Sequence, residues 1–452
     1  MILPSAKSLA VAAALWGLLA GWAAAETKPN LILIMADDFG YECVGANGGE
    51  SYRTPHLDRL AAEGVRFENA HAYPLCTPTR VALMTGRHNV RNYLNFGTLP
   101  RAETTFAQLL KQAGYATGIC GKWQLGRETD SPRHFGFDES LLWQQTRRPP
   151  RYANPGLERQ GVEEDHNTGE YGPDLINDFA LDFVTRHRDG PFFLYYPMIL
   201  THDPFQPTPD SPDWDPKAVG EKVNRDVAHF ADMTTYLDKL IGRFDAKLTE
   251  LGIRENTLLL FLGDNGTHSS VTSRFQGADY RGGKGTTTAR GTHVPLIANW
   301  PAVMKQGRVC RDLVGAVDFL PTLSEAAGVP VPAGGDGISF LPQLRGEPGT
   351  PREALYIWHS PRLKPDLTVR EYAFDLTHKL YRDGRLHDLA ADPYEDGEPL
   401  PPGAAPEARA RLQAELDRQA QARPEALDHA YRESISGTTS TAKPGKKKAK
   451  RP

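Results

Sequence analysis

The sequence predicts an α/β fold: a large, mostly parallel sheet flanked by helices on both faces, then a small C-terminal antiparallel sheet with one helix. Three observations carry this. Residues 30–36 (NLILIMA) and 257–262 (TLLLFL) are unbroken apolar runs, as in strands buried on both faces. Strand-like and helix-like segments alternate up to about residue 345. Beyond Gly346 the alternation gives way to short strands around an Asp383-Gly384 turn.

At 452 residues, with 24% charged and 40% hydrophobic content, the chain has the composition of a globular protein with a large core. It divides into residues 1–25, 26–345, 346–430 and 431–452. The first segment reads as a secretory signal: Lys7, an apolar run over 9–20 and Ala23-Ala24-Ala25 as a cleavage site. The run is short for a membrane anchor, and no cysteine follows it to accept a lipid. A periplasmic or secreted protein is expected. The last segment carries six basic residues after Ser436 and no acidic one, and reads as a disordered tail. Without those six residues and Lys7, 45 basic residues face 56 acidic ones, a net charge of −11 that argues against nucleic-acid binding.

Taken in order, the strand at 30–36 ends in Asp37-Asp38. In open α/β sheets ligands bind beyond the carboxyl ends of strands, so this acid pair points to a cation. Thr54-Pro55 opens a helix that Gly64 stops, and 65–70 returns as a strand. Cys76-Thr77-Pro78-Thr79-Arg80 then runs into a helix, with Thr77 as cap, Pro78 at its first turn and Gly86 at its end. Cys76 is thus expected just outside a helix N-terminus, a place that favours negative charge. Thr104 caps the next helix, which Gly114 ends. The strand 116–120 exits into Gly121-Lys122-Trp123-Gln124-Leu125-Gly126, which offers a lysine to an anion.

Residues 144–170 lack periodicity and read as an insertion over the site, the expected source of substrate selectivity. Helix 174–187 and strand 191–197 follow. Thr201-His202-Asp203-Pro204-Phe205 then holds an imidazole on a proline-stiffened loop. Helix 223–251 carries apolar Val227, Phe230, Leu237, Leu240, Ile241, Phe244 and Leu248. Strand 257–262 exits into Gly263-Asp264-Asn265-Gly266, a second oxygen-donor pair. Asn265-Gly266-Thr267 also reads as a glycosylation sequon, which a buried location would disfavour. Residues 281–286 (RGGKGT) present Lys284 on a glycine-rich loop without the spacing of a nucleotide-binding loop. Short strands at 355–358, 371–374, 378–381 and 385–389 and a helix near 407–423 complete the chain. Four cysteines remain beyond the signal, Cys43, Cys76, Cys120 and Cys310, with no assignable bridge.

Asp37, Asp38, Asp264 and Asn265 are hard oxygen donors, which suit Ca²⁺ or Mg²⁺ and not zinc. Arg80, Lys122, His202 and Lys284 supply positive charge for a tetrahedral anion. Together they fit metal-assisted cleavage of a sulfate or phosphate ester.

The order of these pieces resembles the formylglycine-dependent sulfatases of the alkaline-phosphatase-like superfamily: Asp37-Asp38, Cys-x-Pro-x-Arg at 76–80, GKWQLG at 121–126, THDPF at 201–205, GDNG at 263–266, RGGKGTT at 281–287 and KLYRDGRLHDLAADPYE at 379–395. The resemblance implies that a formylglycine-generating enzyme converts Cys76 to formylglycine. Its hydrate would attack sulfur, and it would help Asp37, Asp38, Asp264 and Asn265 hold Ca²⁺. Arg80 would orient the hydrate. Lys122, His202 and Lys284 would bind sulfate and aid departure of the leaving oxygen. Gln124 departs from the family, which usually has histidine there, and would contact substrate. A sulfated oligo- or polysaccharide is the implied substrate, with no membrane anchor and no nucleic-acid partner. A phosphodiesterase or phosphonate hydrolase on the same fold, or a non-catalytic glycan-binding relative, are the alternatives.

Overall fold

A computed structural model describes residues 28–219, 222–304, 306–360 and 369–427. The signal segment and the basic tail lie outside these residues. The strands are β1 (Asn30–Ala36), β2 (Val65–His71), β3 (Ala116–Gly121), β4 (Glu139–Trp143), β5 (Gly156–Arg159), β6 (Val162–Asp165), β7 (Phe192–Pro197), β8 (Thr257–Gly263), β9 (Thr272–Phe275), β10 (Ala278–Arg281), β11 (Leu296–Asn299), β12 (Arg308–Gly315), β13 (Leu355–His359), β14 (Arg370–Phe374), β15 (His378–Tyr381) and β16 (Leu386–Asp388).

Ten of them form one sheet in the order β12-β2-β11-β8-β1-β7-β3-β4-β5-β6. Its centre, from β8 to β4, is parallel. The antiparallel exceptions are β11 against both neighbours and the added strands β5 and β6. Every residue of β1, β7 and β8 is buried, as their unbroken apolar runs require. Alternate residues of β1 feed two cores. Leu31, Leu33 and Met35 join one with the Cys76 helix; Ile32, Ile34 and Ala36 join the other with helices Gly172–Arg186 and His229–Glu250.

β13 to β16 form the expected antiparallel sheet, with Gly384 at φ 93° in its hairpin turn. Helix Pro406–Gln419 packs on it, and its buried Leu412 and Leu416 belong to the first core. The C-terminal unit is therefore continuous with the large sheet's core rather than a separate lobe.

Several local expectations need correction. The 144–170 region, aperiodic in sequence, holds two strands, β5 and β6, which form a hairpin that extends the sheet edge. Helix 106–112 is capped by Thr105, not Thr104, in a reciprocal bond with Gln108. The long helix begins at His229, leaving Val227 exposed, because Asp226 caps a turn through the Ala228 N–H. The helix after β2 starts at Cys76 itself, with Leu75 as cap residue. Thr79 binds the Tyr73 N–H there, while Thr77 accepts from the Gly97 N–H.

β3 leaves the sheet at Gly121, whose φ is 121°. A Cβ there would stand 1.9 Å from the Pro197 carbonyl oxygen. That close approach lets the Lys122 N–H donate to the same oxygen at 2.7 Å. Gly121→Ala must part β3 from β7 and should cost about 2–3 kcal/mol in urea unfolding. An unchanged unfolding midpoint would show that the contact is not tight.

Candidate active site

The parallel register of β1 and β8 sets Ala36 opposite Gly263. The next residues, Asp37 and Asp264, leave the sheet side by side, followed by Asp38 and Asn265. All four side chains are fully buried. Asp38 lies at φ 62°, a conformation few non-glycine residues adopt. Its N–H donates to Asp264 Oδ1 at 2.9 Å, and its Oδ1 accepts from Asn265 Nδ2 at 2.9 Å. Asn265 Oδ1 is buried with no hydrogen-bond partner among the described residues. Burial of Asn265 also agrees with discounting the sequon.

Cations surround these acids. Lys122 Nζ donates to both Asp37 oxygens at 2.7 and 2.8 Å. Arg80, completely buried, donates through Nη2 to Asp264 Oδ2 at 2.9 Å and through Nη1 to the Lys122 carbonyl at 3.0 Å. Lys284 Nζ donates to Asp38 Oδ2 at 2.5 Å and lies 3.2 Å from His202 Nε2. His202 Nδ1 is 2.6 Å from the Asp203 carbonyl oxygen and must donate to it. That leaves Nε2 facing Lys284 and the acids.

The charges tune one another. Burial alone raises Asp37, but Lys122, His202, Arg80 and Arg151 outweigh it and hold the carboxyl well below its ordinary range. Asp38 is lowered too, as His202 and Lys284 overcome burial. Asp264 goes the other way, to about 7, through burial and the charge of Asp37, against Arg80. A third carboxyl forced towards neutrality and an unpartnered amide oxygen both fit a divalent cation, and the oxygen-only donors Asp37, Asp38, Asp264 and Asn265 fit Ca²⁺. Asp37, Asp38 and His202 also place one ligand atom each within 4.8 Å of one another. The sequence places His202 as a sulfate contact that aids the leaving oxygen, and the fold brings it to the carboxylates as well.

Cys76 is the first residue of helix Cys76–Thr85, not the residue before it. Its thiol donates to Gln124 Oε1 at 3.3 Å. Gln124 holds φ 55°, and its carbonyl lies 3.4 Å from Thr77 Oγ1. Burial pushes the Cys76 thiol up; Lys122 opposes this, and Asp264 and Asp37 add to it. As an unmodified cysteine it is a poor nucleophile, because the thiolate is scarce. Cys43, Cys76, Cys120 and Cys310 are all free.

Two participants escaped the sequence reading. Arg151, from the region read as an insertion, brings Nη1 to 3.7 Å from Asp37 Oδ2. Glu42 is buried behind the loop after β8, where Thr267 Oγ1 donates to its Oε1 at 2.5 Å and accepts from the Gly40 N–H at 3.0 Å. Its only signal is an acid inside the otherwise apolar stretch 41–44.

Burial pushes Glu42 up to about 7, against its bond to Thr267. The native state keeps a proton there that the unfolded chain releases near 4.5. Stability from this group is therefore full below about pH 4.5 and is lost as pH rises towards 7. Glu42→Gln keeps the acceptor without the titration. Its stability relative to wild type should rise by roughly 3 kcal/mol across that window in denaturant titrations. Parallel pH–stability curves for the two proteins would contradict the assignment.

Comparisons with known proteins bear on the family. The Sulfatase family model matches residues 29–329, and the model for the N-sulphoglucosamine sulphohydrolase C-terminal region matches 286–422. Arylsulfatase A from Homo sapiens is 34% identical over 84% of this chain and 80% of its own length. N-acetylgalactosamine-6-sulfatase from Mus musculus is 33% identical over 76% of this chain and 71% of its own. Among solved structures, Ps i-CgsB superposes with a TM-score of 0.75 at 25% identity, covering 90% of this chain and 98% of that one. A second structure of it holds k-i-k-neocarrahexaose, with TM-score 0.74, 24% identity and coverage of 92% and 100%. With its sheet, its buried acid–base cluster and these relatives in agreement, the chain belongs to the sulfatase family of the alkaline phosphatase superfamily and is a sulfuric ester hydrolase.

Proposed function

We propose that this sulfatase is exported to the periplasm or beyond and removes sulfate esters from carbohydrates. Cys76 would act after a formylglycine-generating enzyme has oxidised it, and Asp37, Asp38, Asp264, Asn265 and the modified Cys76 would hold Ca²⁺. Residues 26–345 would form the catalytic domain and 346–430 its C-terminal subdomain. The observation that carries this reading is the convergence of Cys76, three buried carboxyls and the cations Arg80, Lys122 and Lys284 on one strand edge. Export rests on the signal-like segment. The carbohydrate substrate is supported by the N-acetylgalactosamine-6-sulfatase likeness and by the oligosaccharide held by Ps i-CgsB.

The chain's own residues divide the work. Lys122 and Lys284 present ammonium groups to the sulfate oxygens. Arg80, one helical turn beyond Cys76, fixes the floor of the site through Asp264 and the Lys122 carbonyl. Lys284 Nζ and His202 Nε2 share one proton across 3.2 Å, and that proton is available to the departing alcohol oxygen. The cation would neutralise charge on the sulfate and on the nucleophile. Formylglycine would supply a hydrated aldehyde, which can shed sulfate by reforming its carbonyl, as a serine cannot.

Free sulfate released from a panel of sulfated glycans tests the function, and mass spectrometry of the Cys76 peptide tests the nucleophile. Active enzyme should show loss of sulfur and gain of an aldehyde, and Cys76→Ala should be folded and inactive. A fully alkylatable thiol in active enzyme would sink the formylglycine reading.

Gln124 sits where the family usually has histidine. An amide can position a group but cannot accept a proton near neutral pH. The second stage, release of sulfate, should therefore be slow. Pre-steady-state assays should show a burst of desulfated alcohol ahead of free sulfate, and Gln124→His should shrink it. Equal rates of both products in wild type, unchanged in Gln124→His, would refute this role.

A further inference from the structure

Arg151 has no counterpart among the residues assigned above, yet it reaches the centre of the site. Its Nη1 is buried, has no hydrogen-bond partner among the described residues, and stops 3.7 Å from Asp37 Oδ2. It acts on Asp37 through charge alone at that distance, while Lys122 makes the hydrogen bonds to both oxygens of that carboxylate. The guanidinium is nonetheless held firmly. It stacks over the Trp143 ring with its central carbon 4.1 Å from the centroid. The next residue, fully buried Tyr152, sets its hydroxyl within reach of the Ile199 and His202 carbonyl oxygens, tying this segment to the loop that carries His202.

A half-buried cation stacked on an aromatic ring, with one buried N–H idle at the edge of an anion site, lacks an acceptor that a ligand can provide. Its surroundings leave room for one. Arg151 lines a cavity of about 330 Å³ with Trp143, Arg148 and Gln206. Trp143 and Arg148 also border a second cavity of about 570 Å³ that contains Gln124. The two cavities share an aromatic and a cationic lining residue, Trp143 and Arg148.

We propose that Arg151 is a substrate-contacting residue that donates from Nη1 to an oxygen of the substrate's sulfate group, adding a cation to the set formed by Lys122, Lys284 and His202. The proposal rests on the sulfatase assignment and places one determinant of substrate binding in the hairpin region, outside the motifs. A planar guanidinium suits this task because its fork matches the spacing of oxyanion oxygens.

The test is calorimetric titration of purified, metal-replete enzyme with sodium sulfate at constant ionic strength, alongside sulfate release from whichever glycan the wild type cleaves. Arg151→Met should weaken sulfate binding at least about tenfold and lower kcat/KM by a larger factor, and Arg151→Lys should recover part of both. Sulfate affinity equal to wild type in folded Arg151→Met overturns the proposal, whatever happens to melting temperature or metal content. If Arg151→Met does not fold, Arg151→Lys decides: weaker sulfate binding supports the contact and unchanged binding overturns it. Wild type that binds sulfate but cleaves no glycan would fault the carbohydrate reading alone, while the calorimetry would still settle Arg151.

Discussion

The constraint on which the rest depends is the register that brings two acids out of the sheet together. Because β1 and β8 run parallel with Ala36 opposite Gly263, Asp37 and Asp264 are forced into neighbouring positions in a fully buried place. Three carboxyls at such close range repel, and burial removes the water that would screen them. Arg80, Lys122 and Lys284 answer that repulsion, each from a different part of the chain. Removing any one partner leaves a buried charge uncompensated, which is far more costly than the pair is stabilising.

Holding those cations in place requires much of the molecule. Lys122 follows Gly121, which lies hard against the end of β7. Lys284 sits on a loop held from beyond by the C-terminal sheet: Lys379 Nζ contacts the Thr287 carbonyl and pairs with Glu395, and the Tyr381 hydroxyl meets Thr287 Oγ1 at 2.9 Å. The small sheet thus braces the loop of Lys284 through Thr287 and also shares a core with the large sheet. Glu42 braces the loop after β8 in the same manner.

The β5–β6 hairpin is an addition at the margin of the sheet. It extends the sheet at the edge farthest from β12, and the segment leading into it carries Arg151 back to Asp37. Such a segment can vary without disturbing the central register. Gln124 is a feature of another kind, an amide at φ 55° that accepts from the Cys76 thiol.

The sequence by itself determined the layered α/β fold, the antiparallel C-terminal sheet and the strand-end clusters, because continuous apolar runs and turn residues act locally and leave periodic traces. Asp37-Asp38, Cys76, Lys122, His202, Asp264-Asn265 and Lys284 were legible for the same reason: each follows a strand or opens a helix. The cap slipped by two residues, from Thr77 to Leu75, where no side chain caps the helix, and by one, from Thr104 to Thr105, where neighbouring threonines compete for the same N–H groups. The tertiary structure alone decided which acid meets which base, that His202 also approaches the carboxylates, and that Arg151 belongs to the site. Those facts depend on the register between distant strands and on the path of a loop without periodicity, and no local pattern of residues encodes either.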